Sequence, residues 1–375
     1  MPRPAQSRFR EMVLRMVPPR WSGGRRRRLY RASNEPRGNR HGPERRYTSA
    51  MRAVIYTGAG GPEVISIGEV PKPEVRPGHI RVRVHAAGLN RADLIQRRGQ
   101  YAAPPGWPAD IPGLEYAGEV EAVRGASKWQ VGDRVMGLVG GGAQAELVTV
   151  HEDEALAVPE GLSFAQAAAV PEVFLTAFDA LVTRGRLAPG ERVLIHAVGS
   201  GVGTAAAQIA EHLGATVLGT SRSADKLTRA LVYGLDRGID TSHQPFRDAV
   251  GEPVDVVLDV LGGPAFADNL AVLAPRGRLV MLGFLAGSRT TADLGPILRK
   301  RLEVIGSVMR TRTLEERVQL VRAFSERMLP LFDQRIEHAA PLRPVLERTY
   351  SMSELAEAHR ALESNETFGK LVVTW

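Results

Sequence analysis

The pattern of apolar and polar positions changes character along the chain. From Met51 it is strand-like: RAVIY, VISIGEV and the alternating IRVRVHAAG are separated by Gly60-Gly61-Pro62 and Arg76-Pro77-Gly78, which read as turns. Short strands without intervening helices predict an antiparallel, barrel-like β domain. A short polar helix is expected within the segment from Asn90 to Tyr101, then a Pro-rich loop and strands in GLEYAGEVEAV, GDRVMG and AELVTV. Helical periodicity begins near Ser163 and runs through VPEVFLTAFDALV. From Val193 onward, strand candidates (Val193-Leu194-Ile195, Thr216-Val217-Leu218, VDVVLDV, GRLVMLG, EVIGSVM) alternate with helix candidates, as a parallel doubly wound sheet requires. Helices in TLEERVQLVRAFSERM and SELAEAHRALES and a terminal strand in KLVVTW break the alternation, and this portion is expected to return to the first domain.

The first two strands of the alternating half are joined by AVGSGVGTAAAQIAEHL. Glycines at 199, 201 and 203 form a turn at the entry to a helix. In such a unit Gly199, Gly201 and Gly203 let the backbone approach a pyrophosphate, and the free amides at the helix start, around Val202, favour its charge. Ser200 can bond the diphosphate or only relieve crowding in the turn. The match to G-x-G-x-x-G is imperfect, because Thr204 stands where a strict match has its third glycine, and the strand–helix–strand context carries the assignment. The next strand runs into Thr220-Ser221-Arg222-Ser223, with no carboxylate before Asp225. An NAD site usually places an acid at this strand end, whereas Ser221, Arg222 and Lys226 suit a 2′-phosphate, so NADPH is the expected cofactor; the competing reading is a solvated basic turn.

Composition changes the picture in two places. The 375 residues include no cysteine, which excludes disulfides, a thiol nucleophile and a thiolate zinc site, and no histidines pair at ligand spacing. The net charge of +8 is carried by the first fifty residues, whose 14 Arg and 3 acids give +11 and leave −3 for the rest. That segment is expected to be a basic, disordered extension over 1–50. It reads as upstream sequence translated from a misplaced start, as a targeting peptide, or as an arm that binds nucleic acid or anionic lipid. No uninterrupted apolar segment of membrane-spanning length is evident; no membrane crossing and a cytoplasmic location are expected.

With these residues in place, the chain from Met51 to Trp375 resembles the zinc-independent quinone oxidoreductases of the medium-chain dehydrogenase/reductase superfamily, in particular the damage-inducible quinone reductase subgroup. The resemblance rests on LNRADLIQRRGQY, PGLEYAGEV, GGGAQAELVTV, AAAVPEVFLTAF, IHAVGSGVGTAAAQIA and GKLVV, in the family's order. It implies a GroES-like catalytic domain from residues 51–172 and 314–375, a Rossmann domain over 173–313, an NADPH-filled cleft between them, and a homodimer. It also implies site residues. Asn90 and Asp93, three apart on one helical face, fall where the family places contacts to the nicotinamide ribose; Asn90 can instead be a helix cap. Tyr101 suits stacking on a quinone or proton donation, or is a rim aromatic. Thr176 matches a residue that bonds the carboxamide or a phosphate, or is an ordinary helix threonine. Gly262, Gly283, Phe284, Ser307 and Met309 fall at carboxyl ends of parallel strands, where backbone groups are expected to meet ribose and nicotinamide. Lys370 resembles a cofactor contact, its competing reading being a lone surface lysine, and Glu115 is read as a structural carboxylate.

The expected reaction is NADPH-dependent hydride transfer to a quinone or related conjugated carbonyl without a metal. An alkenal or enone reductase on the same fold is the nearby alternative. An NADPH-binding protein whose basic arm engages RNA is the alternative of another class, with nucleic acid not the expected partner.

Overall fold

Alternation of apolar and polar residues builds the first half of the computed structural model, which describes residues 50–333 and 341–375. Strand β1 (Ala50–Tyr56) pairs antiparallel with β2 (Ile65–Pro71), Ala50 facing Pro71, so the fold begins one residue ahead of Met51. The rest of the expected basic extension lies outside the described residues. β3 (His79–Leu89), β4 (Glu115–Val123), β5 (Arg134–Leu138), β6 (Leu147–His151) and β7 (Ala155–Ala157) form an antiparallel sheet. Along β3, Ile80, Val82 and Val84 are buried while Arg81 and Arg83 between them are not, the two-residue period of a half-buried strand. Its last four residues, Ala86 to Leu89, are all buried, and helix α1 (Arg91–Arg97) leaves directly from that buried end.

Helix α2 (Pro171–Phe178) runs on into a π-helical turn, Asp179–Arg184. The helical stretch from Phe164 to Arg184 has the length and hydropathy of a membrane span, where no segment of that length was expected. Most of it is packed inside the protein, as a core helix is. Then β8 (Arg192–Ile195), α3 (Gly201–His212), β9 (Thr216–Ser221), α4 (Ala224–Ala230) and β10 (Arg237–Asp240) follow. β11 (Val254–Asp259), α5 (Gly263–Val272), β12 (Leu273–Met281), α6 (Gly295–Lys300) and β13 (Glu303–Gly306) complete the alternation. All six strands are parallel, in the order β10-β9-β8-β11-β12-β13. Winding reverses between β8 and β11, which makes the carboxyl end of β8 the topological switch point. Buried apolar side chains fill β8, β9 and β11, as a sheet covered on both faces demands.

Helix α7 (Leu314–Arg327) packs on α2 through edge-to-face aromatic contact between Phe178 and Phe324, centroids 5.7 Å apart. β14 (Leu346–Ser351), α8 (Leu355–Glu363) and β15 (Lys370–Thr374) then return to the first sheet. β15 pairs antiparallel with β3, Leu371 opposite Leu89, and parallel with β14. That parallel pair departs from the wholly antiparallel sheet expected, because LERTYS buries only Tyr350 and carries too little apolar signal to read as a strand. The whole is an α/β fold: a GroES-like β domain with a Rossmann-type parallel sheet.

Helix α3 lies against the turn after β8 at Gly203. A Cβ at Gly203 would come within 2.5 Å of Ala197 O and 2.6 Å of Val198 Cα, both backbone atoms that cannot rotate away. Gly203→Ala is expected to lower stability by about 1–3 kcal/mol in urea denaturation, the overpacking cost exceeding the gain in helix propensity. Gly306→Ala, with nothing near its added methyl, should stay within about 0.5 kcal/mol.

Candidate active site

The turn after β8 is shaped by a non-glycine residue in the left-handed region, Ala197 at φ 51°. Ser200 then caps α3, its Oγ accepting the Gly203 N–H at 3.1 Å. The N–H groups of Gly201 and Val202 stand in the first helical turn, where no intrahelical acceptor exists, and are the donors a diphosphate needs. The close-packing glycine of the motif is Gly203, one position before the strict match; Thr204 is buried and donates to Gly201 O at 3.1 Å. Gly199 is buried against Lys226 and Phe368, and its carbonyl accepts the Gly369 N–H at 2.9 Å. The turn is thereby tied to the residue that precedes β15.

At the end of β9, Ser221 Oγ accepts the Ser223 N–H at 3.1 Å, and Ser223 caps α4. Arg222 is exposed and makes no hydrogen bond or ion pair with the described residues. Lys226 is engaged: its ammonium donates to Asn365 O at 2.6 Å, and burial, with Arg222 among the nearby cations, holds it below the usual lysine range. Of the two cations expected around a 2′-phosphate, Arg222 is therefore the free one.

The floor beneath is a buried polar network that the sequence did not foreshadow. Lys370 is no surface lysine: only 4% exposed, it donates to Leu89 O (2.9 Å), Asn90 Oδ1 (2.6 Å) and Glu115 Oε1 (2.6 Å), which takes up all three of its N–H groups. The expected cofactor contact through this side chain is thus replaced by a structural one. Asn90 turns the same way, its Nδ2 donating to Glu115 Oε1 at 2.8 Å. Asp93 is fully buried, and its Oδ2 accepts the Asn90 N–H at 2.7 Å. Asn90 and Asp93, both buried, therefore build the start of α1. The other Glu115 oxygen accepts the Glu172 N–H at 2.8 Å. Glu172, which sequence reasoning missed, has one visible signal: an acid within an otherwise apolar buried helix. Burial, reinforced by Glu115, pushes both Asp93 and Glu172 up to about 7, Lys370 counteracting in part.

Above this floor, Tyr101 stacks face-on with Arg310, whose guanidinium carbon lies 3.7 Å from the ring centroid. Arg310 follows β13 and was also missed, since RTR reads as surface charge. All three of its guanidinium nitrogens are buried without a hydrogen-bond acceptor among the described residues. Thr176 on α2 likewise has a buried hydroxyl with no partner. At two of the expected backbone positions the N–H is already bonded within the protein. Gly262, at φ 89°, gives its N–H to Asp259 Oδ1 at 3.1 Å and lies beneath Gly287 O; Ser307 gives its N–H to Met281 O (3.0 Å) and its hydroxyl to Asp179 Oδ2 (2.7 Å). Gly283 and Met309 are half-buried and Phe284 is exposed.

Similar proteins are found across most of the chain. Residues 76–160 match the alcohol dehydrogenase GroES-like domain family, and residues 201–326 the zinc-binding dehydrogenase family. A quinone oxidoreductase of Pseudomonas aeruginosa is 34% identical over 333 residues, 86% of this chain and 99% of that one. The crystal structure of the human synaptic vesicle membrane protein VAT-1 homolog-like protein superposes with a TM-score of 0.75 at 30% identity, covering 87% and 98% of the two chains. A mycobacterial structure complexed with NADPH gives 0.74 at 28%, covering 87% and 100%.

Asp93 and Glu172 hold their protons more tightly folded than unfolded. Their stabilising contribution is complete below about pH 4 and is lost as pH rises through about 7. Glu172→Gln removes one of the two groups, so stability measured by urea denaturation from pH 4 to 8 should fall less steeply than in the parent. An identical slope would mean that Glu172 is already ionised at pH 5.

Proposed function

The chain belongs to the quinone oxidoreductase family of the medium-chain dehydrogenase/reductase superfamily and is an oxidoreductase; from that premise we propose that it uses NADPH to reduce quinones or related conjugated carbonyls without a metal. The observation that carries the cofactor assignment is the end of β9, where Ser221 and the unpaired, exposed Arg222 stand in place of an acid. Gly201 and Val202 would hold the diphosphate through their N–H groups, Arg222 and Ser221 the 2′-phosphate, and the unpartnered Thr176 hydroxyl the carboxamide or a phosphate. When bound, the cofactor supplies the hydride. The protein's part is to align acceptor and donor over the rigid floor of Lys370, Glu115 and Asn90 and to keep water out.

The residues do not fit a catalytic zinc. The sequence lacks cysteine, and among the described residues no group of three His, Asp or Glu converges as metal ligands. A homodimer is also proposed: β13 ends the parallel sheet with its outer edge unpaired among the described strands, and Leu294, Leu298 and Val304 are exposed there. Leu298→Glu should shift the sedimentation-determined mass from dimer toward monomer, and a monomeric parent would discard the idea.

Turnover with a panel of quinones and enones, followed by NADPH oxidation, tests the reaction and separates the two acceptor classes. For the cofactor, Arg222→Ala removes a charge-assisted contact worth roughly 1.5–3 kcal/mol, so NADPH affinity should fall about ten- to hundredfold while NADH affinity stays nearly constant. Equal weakening of both, or a parent that binds NADH as tightly as NADPH, would rule out a 2′-phosphate site.

A further inference from the structure

Arg310 carries a burial cost that no hydrogen bond among the described residues offsets. Its guanidinium has five N–H donors, and its nitrogens are shielded from solvent with no acceptor among the described residues within hydrogen-bond reach. One face is occupied by the Tyr101 ring at 3.7 Å, which leaves the in-plane donors as its only unused capacity. Asp93 and Glu172 are near enough for their charges to act on it, which places it beside the carboxylates of the floor.

Arg310 is also held from both sides along the chain. Before it, Ser307 Oγ donates to Asp179 Oδ2 at 2.7 Å; after it, Arg312 donates to the same oxygen. Arg312 further donates to Val308 O at 3.2 Å, and Arg317 donates to Arg312 O at 2.8 Å. Asp179 is itself buried at the start of the π-helical turn, an irregularity that often marks functional positions. A loop residue fixed at two neighbours and stacked on a third is presented rigidly, as charge stabilisation in a reaction demands.

We propose that Arg310 grips the carbonyl oxygen of the acceptor and takes up the negative charge that reduction places there, with Tyr101 acting as its stacking support. The assignment rests on the reading of the protein as a quinone or enone reductase. In an enone the new C–H bond forms at the β carbon as hydride arrives, and the C=C π pair moves through the conjugated system onto the carbonyl oxygen. The donor is oxidised by the same two electrons. The resulting enolate oxyanion faces the guanidinium, and solvent then supplies one proton at carbon to give the saturated ketone. In a quinone the anion is the hydroquinone monoanion, which takes its proton on oxygen. Tyr101 is poorly suited to give that proton, since burial pushes its hydroxyl above the usual phenol range.

The test uses the full chain, R310Q and R310K, with two readouts. In turnover of NADPH with 1,4-benzoquinone and an alkenal, R310Q is expected to lose about 10²–10³-fold in kcat, with NADPH affinity within roughly twofold of the parent. R310K keeps the charge and loses the fork, so it should fall about tenfold. Independently of turnover, 4-nitrophenol is titrated by absorbance as a mimic of the oxyanion. The parent should bind it as phenolate, and R310Q should bind it at least about tenfold more weakly. Unchanged nitrophenolate binding in both variants overturns the proposal, even if their melting temperatures drop, because a purely structural arginine would have that signature. A parent that reduces neither acceptor, yet binds nitrophenolate through Arg310, would sink the reductase reading and leave the anion site standing.

Discussion

Lys370 brings an ammonium into a site with almost no access to water, where Leu89 O, Asn90 Oδ1 and Glu115 Oε1 take its three N–H groups. Removing one partner of such a buried pair strands the other charge and typically costs about 3–5 kcal/mol, so the members are interdependent. Glu115 extends the network by accepting from the Glu172 backbone, and Asn90 extends it to α1 through Asp93. One cation therefore fixes the ends of β3 and β4, the start of α1 and the start of α2 together.

The same node constrains the glycine turn from behind. A Cβ at Gly201 would lie 2.8 Å from Lys370 Cδ and 2.9 Å from Val173. The glycine read as an approach for phosphate is also the passage for the lysine stem on its way to Glu115. Gly369 N–H to Gly199 O adds a backbone bond across the same seam. Cofactor turn and polar floor are thus two faces of one packed unit, and a residue such as Gly201 serves both.

Much of this was legible in the sequence wherever the signal was local. The apolar runs of β8, β9 and β11, the turn glycines and the missing acid after Thr220 each lie within a few residues of one another, and periodicity reads them. β14 was not legible, because five of the six residues in LERTYS are not buried and its place is set by β15. Nor was the role of Lys370: a lysine ahead of Leu-Val-Val looks solvated until a glutamate 255 residues away is brought to it by strand pairing. The resemblance singles out Asn90 and Asp93, and their three-residue spacing locates a polar cluster without saying which way it points. Arg310 and Glu172 escaped for the same reason, each needing partners from other elements to become unusual.

The pairing of β15 with β3 has a consequence for how the protein comes into being. Leu89 is synthesised 281 residues before Lys370, the residue that binds its carbonyl. Until then the buried end of β3 has no partner on that side, and Glu115 has no cation. The parallel sheet is contiguous from β8 to β13 and owes none of its six strands to later sequence, so it can close while the ribosome is still working. The β domain waits as an open edge, and an exposed strand edge is the kind of surface that chaperones shield and that aggregates by pairing with another chain. Long-range closure of this kind is slow compared with the local pairing of the parallel sheet.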